Sequence, residues 1–458
     1  MLLFGLVHST LSKANTKENS YRYTHYQMEA SAPGKVLILG GYLIVQAPNV
    51  GISIGVSARF TTRVVTSTPS AEGTTELTVL SPQFGKTFVF ECHADETEVR
   101  VTQKEGPPSP FLYYAALYGI AAARSAGATL SHNVSLELLA DNDFYSQRNY
   151  LESKNMPVNT ANLRQLPKHL PLVGDVSKTG LGSSAAMTTS VVACIYAFFA
   201  RQHTDKEFIH RIAQVAHSVA QGKIGSGFDV FTAVYGTCAY RRFPAEKVET
   251  MLKGVEAPQR VAVAQLTACV DMREAWVENV PFHLPRGIKL VLGDVHQGGS
   301  STPGMVAKIM AWQKANASTP DNLWSKLREN NESYIEALRA LIKQAEEQPE
   351  AHTAAVEALS AVRHLPDAAP QDAAARLVVA AAQCAALSRT YLRELGVAAG
   401  VKVEPEELQG GCSTTRPRCR ACSPSAARAP AATTPSLRSC WETPTATRSR
   451  RFGRATRG

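Results

Sequence analysis

The stretch KTGLGSSAAM at residues 178–187 has the composition of a phosphate-binding loop. Gly180 and Gly182 allow the backbone to bend sharply and to approach a ligand closely. Ser183 and Ser184 then open an apolar helical pattern, so unpaired N–H groups and the positive end of the helix dipole meet at one point. The serine hydroxyls can also ligate Mg²⁺. The Walker A order is absent because Lys178 precedes the glycines, and the alternative is an ordinary helix start with a serine cap.

Two further segments supply a cation and a carboxylate. Lys35 follows SAPG and enters the apolar run VLIL, where a charge is costly without a partner such as a phosphate or a carboxylate. Asp229 follows the glycines of GKIGSGF, and its carboxylate could accept a proton from an attacking oxygen or orient that oxygen. Each residue has a structural alternative: Lys35 at the solvent end of a strand, and Asp229 in a turn or cap.

A second anion site is predicted in GDVHQGGSSTP at residues 293–303, which follows a strand pattern and precedes a helical one. Its glycines and hydroxyls again place donors at a helix start. Two anion sites, a lysine and an aspartate together indicate phosphoryl transfer, because that chemistry depends on charge neutralisation, Mg²⁺ and positioning. The polar segment DNDFYSQR at residues 141–148 is uninformative by itself.

The elements that must position these segments are strand-rich in the first half of the chain and helix-rich in the second. Period-two alternation over residues 56–103 predicts antiparallel strands. A long polar loop is expected over residues 148–170, where prolines recur. Further strands are predicted near residues 35–45, 133–139, 237–241 and 289–293, and helices near 109–126, 184–201, 205–221, 303–315, 321–348 and 372–395. The predicted fold class is α+β.

The net charge of +9 is carried by one end of the chain. Residues 411–458 contain ten Arg and one Glu, with no Lys or Asp, which leaves 38 basic and 38 acidic side chains in the rest. A nucleic-acid-binding face on the folded body therefore has no support from charge. Nine cysteines in 458 residues make no disulfide scaffold, and CRAC at 419–422 lacks a second pair for zinc. The longest apolar stretch, residues 187–200, is too short to cross a bilayer, so a cytoplasmic protein is expected.

These segments, in this order, resemble the motifs of the galactokinase, homoserine kinase, mevalonate kinase and phosphomevalonate kinase (GHMP) superfamily. The similarity is greatest to the eukaryotic-type phosphomevalonate kinases. It extends over residues 28–409 and rests on SAPGKVLILGGYLIV, DNDFYSQ, KTGLGSSAAMTTSVV, AQGKIGSGFDVFTAVYGTCAYRRF and GDVHQGGSSTP. The resemblance implies a two-domain fold with a left-handed βαβ unit. The implied division is an N-terminal extension (1–27), an ATP-binding domain (28–245), a truncated C-terminal domain (246–410) and a tail (411–458).

The resemblance also implies a reaction: ATP, with Mg²⁺, phosphorylates 5-phosphomevalonate to 5-diphosphomevalonate in the mevalonate pathway to isoprenoids and sterols. It implies that Asp229 and Lys35 are catalytic, with Asp229 mainly orienting groups because a phosphate acceptor needs little base catalysis. The implied ATP-phosphate residues are Lys178, Gly180, Leu181, Gly182, Ser183, Ser184 and Ala185, with Mg²⁺ on Ser183 and Ser184. The candidate substrate-binding residues are Lys35, Arg148, Lys223, Ser226, Gln297, Ser300 and Ser301.

The chain departs from the superfamily pattern near its C-terminus, where a PGAGG-type loop is expected. After residue 408 the composition changes to Arg, Ala, Pro, Ser and Thr, which is typical of a disordered basic tail. The second hypothesis is a slip of the reading frame. Regrouping the bases from codon 411, with GC-rich third bases, restores PGAGG followed by an apolar strand pattern. If the printed tail is genuine, weak folding and little kinase activity are expected.

Three rival functions remain open. The chain could be another enzyme of the superfamily, such as mevalonate kinase or diphosphomevalonate decarboxylase. It could be a ligand-binding relative with impaired catalysis if the tail is genuine, or a nucleic-acid binder through the tail. The preferred prediction is a kinase that acts on a small molecule as a monomer or homodimer, without nucleic-acid or membrane partners.

Overall fold

The computed structural model describes residues 28–174, 176–201, 205–253, 260–276, 280–290, 292, 302–319, 322–360, 370–404 and 439–441. Gln297, Ser300 and Ser301 of the predicted second anion site lie outside the described residues. The N-terminal extension and most of the tail lie outside them as well.

The period-two segments form strands because alternate side chains along them are buried. In the strand Thr74–Ser81, for example, Leu77 and Val79 are almost fully buried, and Val134 and Leu136 of the neighbouring strand His132–Ala140 are buried with them. The strands are β1 (Glu29–Leu39), β2 (Val50–Pro69), β3 (Thr74–Ser81), β4 (Lys86–Ala94), β5 (Glu98–Glu105), β6 (His132–Ala140), β7 (Cys238–Arg241), β8 (Arg260–Ala262), β9 (Val280–Pro281), β10 (Ile288–Leu290) and β11 (Ser439–Trp441).

Within the described ranges, β1–β9 form one sheet in the order β8-β5-β4-β3-β6-β2-β7-β9, with β1 paired to β2. The pairing is antiparallel except between β3 and β6, which run parallel. The 20-residue β2 pairs with β1, β6 and β7, so it joins the strand of Lys35 to the rest of the sheet. β10 and β11 form a separate antiparallel pair.

The helices are α1 (Pro110–Ser125), α2 (Arg148–Ser153), α3 (Thr160–Gln165), α4 (Ser183–Ala200), α5 (Lys206–Gln221), α6 (Phe228–Tyr235), α7 (Glu246–Lys253), α8 (Val263–Cys269), α9 (Thr302–Ala315), α10 (Leu323–Glu347), α11 (Pro349–Ser360) and α12 (Ala373–Ala398). The predicted α+β class is confirmed, whereas the handedness of the βαβ unit stays a prediction. The long loop expected over residues 148–170 is wrong, since α2 and α3 lie within it. Their two-turn length is too short for a clear amphipathic period.

Helix α4 is central to the core around the candidate site. It packs against β1, β2, α1, α5 and α6. At 18 residues it is long and apolar enough to cross a membrane by length and composition, so the length argument from residues 187–200 is wrong. Since 72% of that window is buried inside the protein, α4 has the surroundings of a core helix.

The described residues fall into two compact units. One comprises those within Met1–Phe282, Asp294–Ser318 and Gly396–Pro435, and the other those within His283–Gly293, Thr319–Leu395 and Ser436–Gly458. The predicted domain boundary at residue 245 therefore falls inside the first unit. The second unit is mainly helical. Within it, the Asn330 side chain of α10 donates to the Cys384 carbonyl at 3.0 Å and to the Ser388 hydroxyl at 2.7 Å, which links α10 to α12.

Candidate active site

The loop before α4 has the backbone that its glycines predicted. Gly180 and Gly182 have φ angles of +80° and +75°, which favour glycine. Gly182 is the N-cap of α4 and makes no side-chain cap hydrogen bond, and the Ala186 N–H donates to its carbonyl at 3.1 Å. The N–H groups of Ser183, Ser184 and Ala185 therefore lie at the helix start, where the helix itself offers them no acceptor. This end of α4 is suited to an anion.

Lys35 lies against this loop. Its Nζ donates to the Gly180 carbonyl at 3.0 Å and lies 5.2 Å from the centre of the Phe228 ring. The backbone N–H of Lys35 donates to the Leu181 carbonyl at 2.8 Å, which holds β1 and the loop together. Burial lowers the pKa of Lys35, and the charge of Asp229 partly opposes that change. Lys35 thus has the partners that a lysine in an apolar strand needs: the Gly180 carbonyl oxygen and the nearby Asp229 carboxylate.

Asp229 lies in the first turn of α6, two residues beyond the cap position. Gly227 is the N-cap, with φ +82°, and the Asp229 Oδ1 accepts a hydrogen bond from the Val230 N–H at 3.0 Å. The side chain of Asp229 is 24% exposed. A carboxylate in the first turn of a helix is stabilised by the helix dipole, and here it remains accessible.

The sequence argument missed His217. This residue lies on α5 with its side chain only 4% exposed. Its Nε2 lies 3.1 Å from the Ser184 Oγ and 3.9 Å from the Asp229 Oδ2. The Phe111 ring lies against the imidazole, with the ring centres 5.3 Å apart. Burial lowers the pKa of His217, and Asp229 opposes that change. The sequence offered one signal for His217, its position on the apolar face of an amphipathic helix 12 residues before Asp229. That signal is not specific, because histidines that only pack in a core occupy the same kind of position.

The segment DNDFYSQ also contacts the phosphate loop. Burial raises the pKa of Tyr145 to about 12, and the Ser183 hydroxyl opposes that change. The backbones of Tyr145 and Lys178 pair as an isolated bridge, and the Thr179 N–H donates to the Phe144 carbonyl at 3.2 Å. At the start of α4, the Ser184 hydroxyl has a side-chain partner in His217, and the loop before it is held by the backbones of Phe144 and Tyr145.

The glycine loop before α6 is held by two residues that follow it. The Tyr240 hydroxyl donates to the Ser226 carbonyl at 2.6 Å. Arg242 donates to the Gly225 carbonyl at 3.1 Å and to the Val45 carbonyl at 2.5 Å. The carbonyl of the predicted substrate-binding residue Ser226 thus already accepts a hydrogen bond from the protein. Arg242 holds the backbone of the glycine loop that precedes Asp229.

The structure brings Lys35, the phosphate loop and Asp229 together. Lys178 and Lys223 are exposed and adjoin the two glycine loops along the chain. Arg148 is 25% exposed and lies 3.4 Å from Glu152. Nowhere in the described part of the chain do three or more histidine, cysteine, aspartate or glutamate side chains cluster as a metal site. A cation at α4 would therefore rely on the serine hydroxyls and on oxygens of its ligand.

Comparison with known proteins agrees with the resemblance seen in the motifs. Residues 153–237 match the family model of the GHMP kinases N terminal domain. The peroxisomal phosphomevalonate kinase of Arabidopsis thaliana is 30% identical over 423 residues, which cover 82% of this chain and 83% of that protein. The phosphomevalonate kinase ERG8 of Gibberella zeae is 34% identical over 342 residues, which cover 69% and 74%.

A solved structure shows the shared fold. The crystal structure of a Lin0012 protein from Listeria innocua matches with a TM-score of 0.52 and 19% identity, over 84% of this chain and 82% of that one. The fold, the joint position of Lys35, the phosphate loop and Asp229, and the identity over most of the chain lead to one assignment. The chain belongs to the phosphomevalonate kinase family of the GHMP kinases.

Proposed function

We propose that this protein transfers the γ-phosphoryl group of ATP to the phosphate of 5-phosphomevalonate. A phosphate oxygen of the acceptor forms a bond to the γ-phosphorus, the bond from that phosphorus to the oxygen of ADP breaks, and 5-diphosphomevalonate and ADP leave. The observation that carries the proposal is the convergence of the α4 N-terminus, Lys35 and Asp229 in a chain of this family. Such a site supplies charge neutralisation and orientation, the two main requirements of phosphoryl transfer.

Each part of the site has a role in this reaction. The N–H groups at the start of α4 receive the phosphate oxygens of ATP, since they converge there with the positive end of the helix dipole. The Lys35 ammonium, held at the Gly180 carbonyl, stabilises negative charge on the transferred group. Asp229 orients the acceptor, because an acceptor phosphate that is already ionised has no proton for a base to remove.

The start of α4 also fits Mg²⁺. The hydroxyls of Ser183 and Ser184 are hard oxygen donors at the helix start, and His217 holds that of Ser184. Mg²⁺ commonly takes one or two protein ligands and fills its other positions with phosphate oxygens and water. When bound there with ATP, Mg²⁺ would neutralise part of the phosphate charge.

The acceptor phosphate adds about two negative charges, so the site needs further cations. Lys178, Lys223 and Arg148 are the candidates for these cations on the described chain, and Gln297, Ser300 and Ser301 remain candidate contacts to the substrate. A cytoplasmic location and action without nucleic acid or membrane stay predictions, as does a monomeric or homodimeric state.

A substrate panel tests the proposal. ADP release is measured with mevalonate, 5-phosphomevalonate or 5-diphosphomevalonate as the second substrate, and ³¹P NMR identifies the product. We expect turnover and a new diphosphate signal with 5-phosphomevalonate alone. Turnover with mevalonate alone, or CO₂ release with 5-diphosphomevalonate, would assign the chain to another GHMP activity, and ATP binding without turnover would favour a ligand-binding relative.

The variant Asp229→Asn links turnover to the described site. We expect kcat to fall about a hundredfold, as when a reacting group loses its orientation, while ATP affinity stays close to that of the parent protein. Asp205→Asn is the matched control because Asp205 caps the far end of α5, about 24 Å of helix away from Gln221. The assignment of Asp229 is wrong if both variants retain the parent kcat.

A further inference from the structure

His217 has an unusual environment for a histidine in a helical core. Within the described residues, its Nε2 faces two groups of the candidate site, the Ser184 Oγ at 3.1 Å and the Asp229 Oδ2 at 3.9 Å. These groups come from the first turns of two different helices, α4 and α6. The imidazole on α5 therefore connects the two helix starts that are expected to hold ATP and to orient the acceptor.

The position of the imidazole is itself fixed. The Phe111 ring covers it, and the Gln221 side-chain amide lies 3.1 Å from Nε2 and 3.3 Å from Nδ1. A neutral imidazole carries one donor and one acceptor nitrogen. A neutral ring can accept the hydroxyl proton of Ser184, and the lone pairs of that oxygen are then left for a cation.

We propose that His217 is a positioning residue that directs the Ser184 hydroxyl toward Mg²⁺. A serine hydroxyl without such a partner turns among staggered rotamers. Mg²⁺ requires its oxygen ligands in nearly octahedral geometry, so a fixed hydroxyl favours binding. This inference rests on the proposed function, because it assigns Ser184 to the Mg²⁺ that accompanies ATP.

The chain offers an internal control for this role. His210 lies on the same helix two turns earlier and is equally buried. Its ring packs against Phe231, Tyr235 and Trp276, with ring centres 5.2 to 6.3 Å apart. A histidine that acts only in packing should behave like His210, whereas a positioning residue should affect Mg²⁺ specifically.

The test measures ATP affinity by isothermal titration calorimetry, once with Mg²⁺ and once with EDTA. The ratio of the two affinities reports the contribution of Mg²⁺ and does not depend on turnover. We expect His217→Phe to lower this ratio about ten- to hundredfold, the usual effect of losing a group that orients a metal ligand. His210→Phe should leave the ratio unchanged. His217→Phe in a Ser184→Ala background should add little, because His217 acts on Mg²⁺ only through that hydroxyl.

A pair of amide variants tests the geometry and replaces His217→Phe if that variant fails to fold. The glutamine amide in His217→Gln reaches the position of Nε2, whereas the shorter asparagine in His217→Asn does not. We therefore expect His217→Gln to retain most of the Mg²⁺ contribution and His217→Asn to lose it.

Several results would overturn the role of His217. These are an unchanged ratio in folded His217→Phe, an equal loss of affinity with Mg²⁺ and with EDTA, equal behaviour of the two amide variants, and a parent protein without any Mg²⁺ contribution. Failure of the proposed function would be distinct, since it is an absence of transfer to 5-phosphomevalonate by the parent protein in the ADP assay.

Discussion

Replacing Gly182 with alanine should have two effects: it should strain the backbone of the phosphate loop, and it should displace the side chain of Lys35. Gly182 has φ +75°, and a Cβ added there would lie 2.9 Å from the Lys35 Cε and 3.0 Å from its Cγ. The left-handed backbone costs an alanine roughly 1–2 kcal/mol. The close atoms belong to a flexible side chain, so Lys35 should move away and its Nζ should leave the Gly180 carbonyl.

The matched control is Gly127→Ala. Gly127 has a similar φ of +82°, and no atom lies within 4 Å of its added Cβ. It follows α1, and its N–H donates to the Arg124 carbonyl at 2.9 Å. Both variants should therefore lose the same roughly 1–2 kcal/mol of unfolding free energy, whereas only Gly182→Ala should move a cation.

Steady-state kinetics and thermal unfolding followed by circular dichroism measure the two effects. We expect the transition temperature to fall by similar amounts in both variants. The kcat should fall about a hundredfold in Gly182→Ala, as when one stabilising donor is lost from an anionic transition state, and should stay unchanged in Gly127→Ala. Adding Gly182→Ala to Lys35→Met should cost little more. The reasoning is refuted if Gly182→Ala has the kcat of Gly127→Ala, or if its effect persists in full without Lys35.

Two further predictions concern acid stability and the tail. Burial lowers the pKa of His210 from 6.5 to about 3, so its contribution to stability is present above pH 6.5 and is lost as the pH falls. On acidification, His210→Phe should therefore lose less unfolding free energy than the parent protein, by up to about 1.4 kcal/mol per pH unit below 6.5. Urea unfolding at pH 7 and pH 5 measures the difference, and equal losses in the two proteins would contradict this prediction. The frame-slip hypothesis predicts an inserted or deleted base when codons 403–415 are resequenced, and an unaltered frame with no intron boundary there would exclude it.

Local features of the candidate site could be predicted from the sequence because they depend on neighbours along the chain. The glycines before Ser183 dictate the bend of the loop, and the apolar run after it dictates the helix, so a phosphate site could be inferred directly. The need of Lys35 for a partner also followed from its apolar strand. The strands of the sheet were predictable for the same reason, since period-two burial is visible in the sequence.

Contacts between distant segments were decided by the tertiary structure alone. Tyr145 and Arg242 support the two glycine loops from positions whose local sequence carries no sign of that role. His210 and His217 illustrate the reason, because both are buried on the same face of α5 and the helical period treats them alike. Ser184 and Asp229 lie beside His217 only because α4 and α6 pack against that end of α5. Nearer the other end of α5, aromatic rings surround His210. Periodicity along the chain reports which side chains are buried, but the identity of their neighbours depends on how the helices pack.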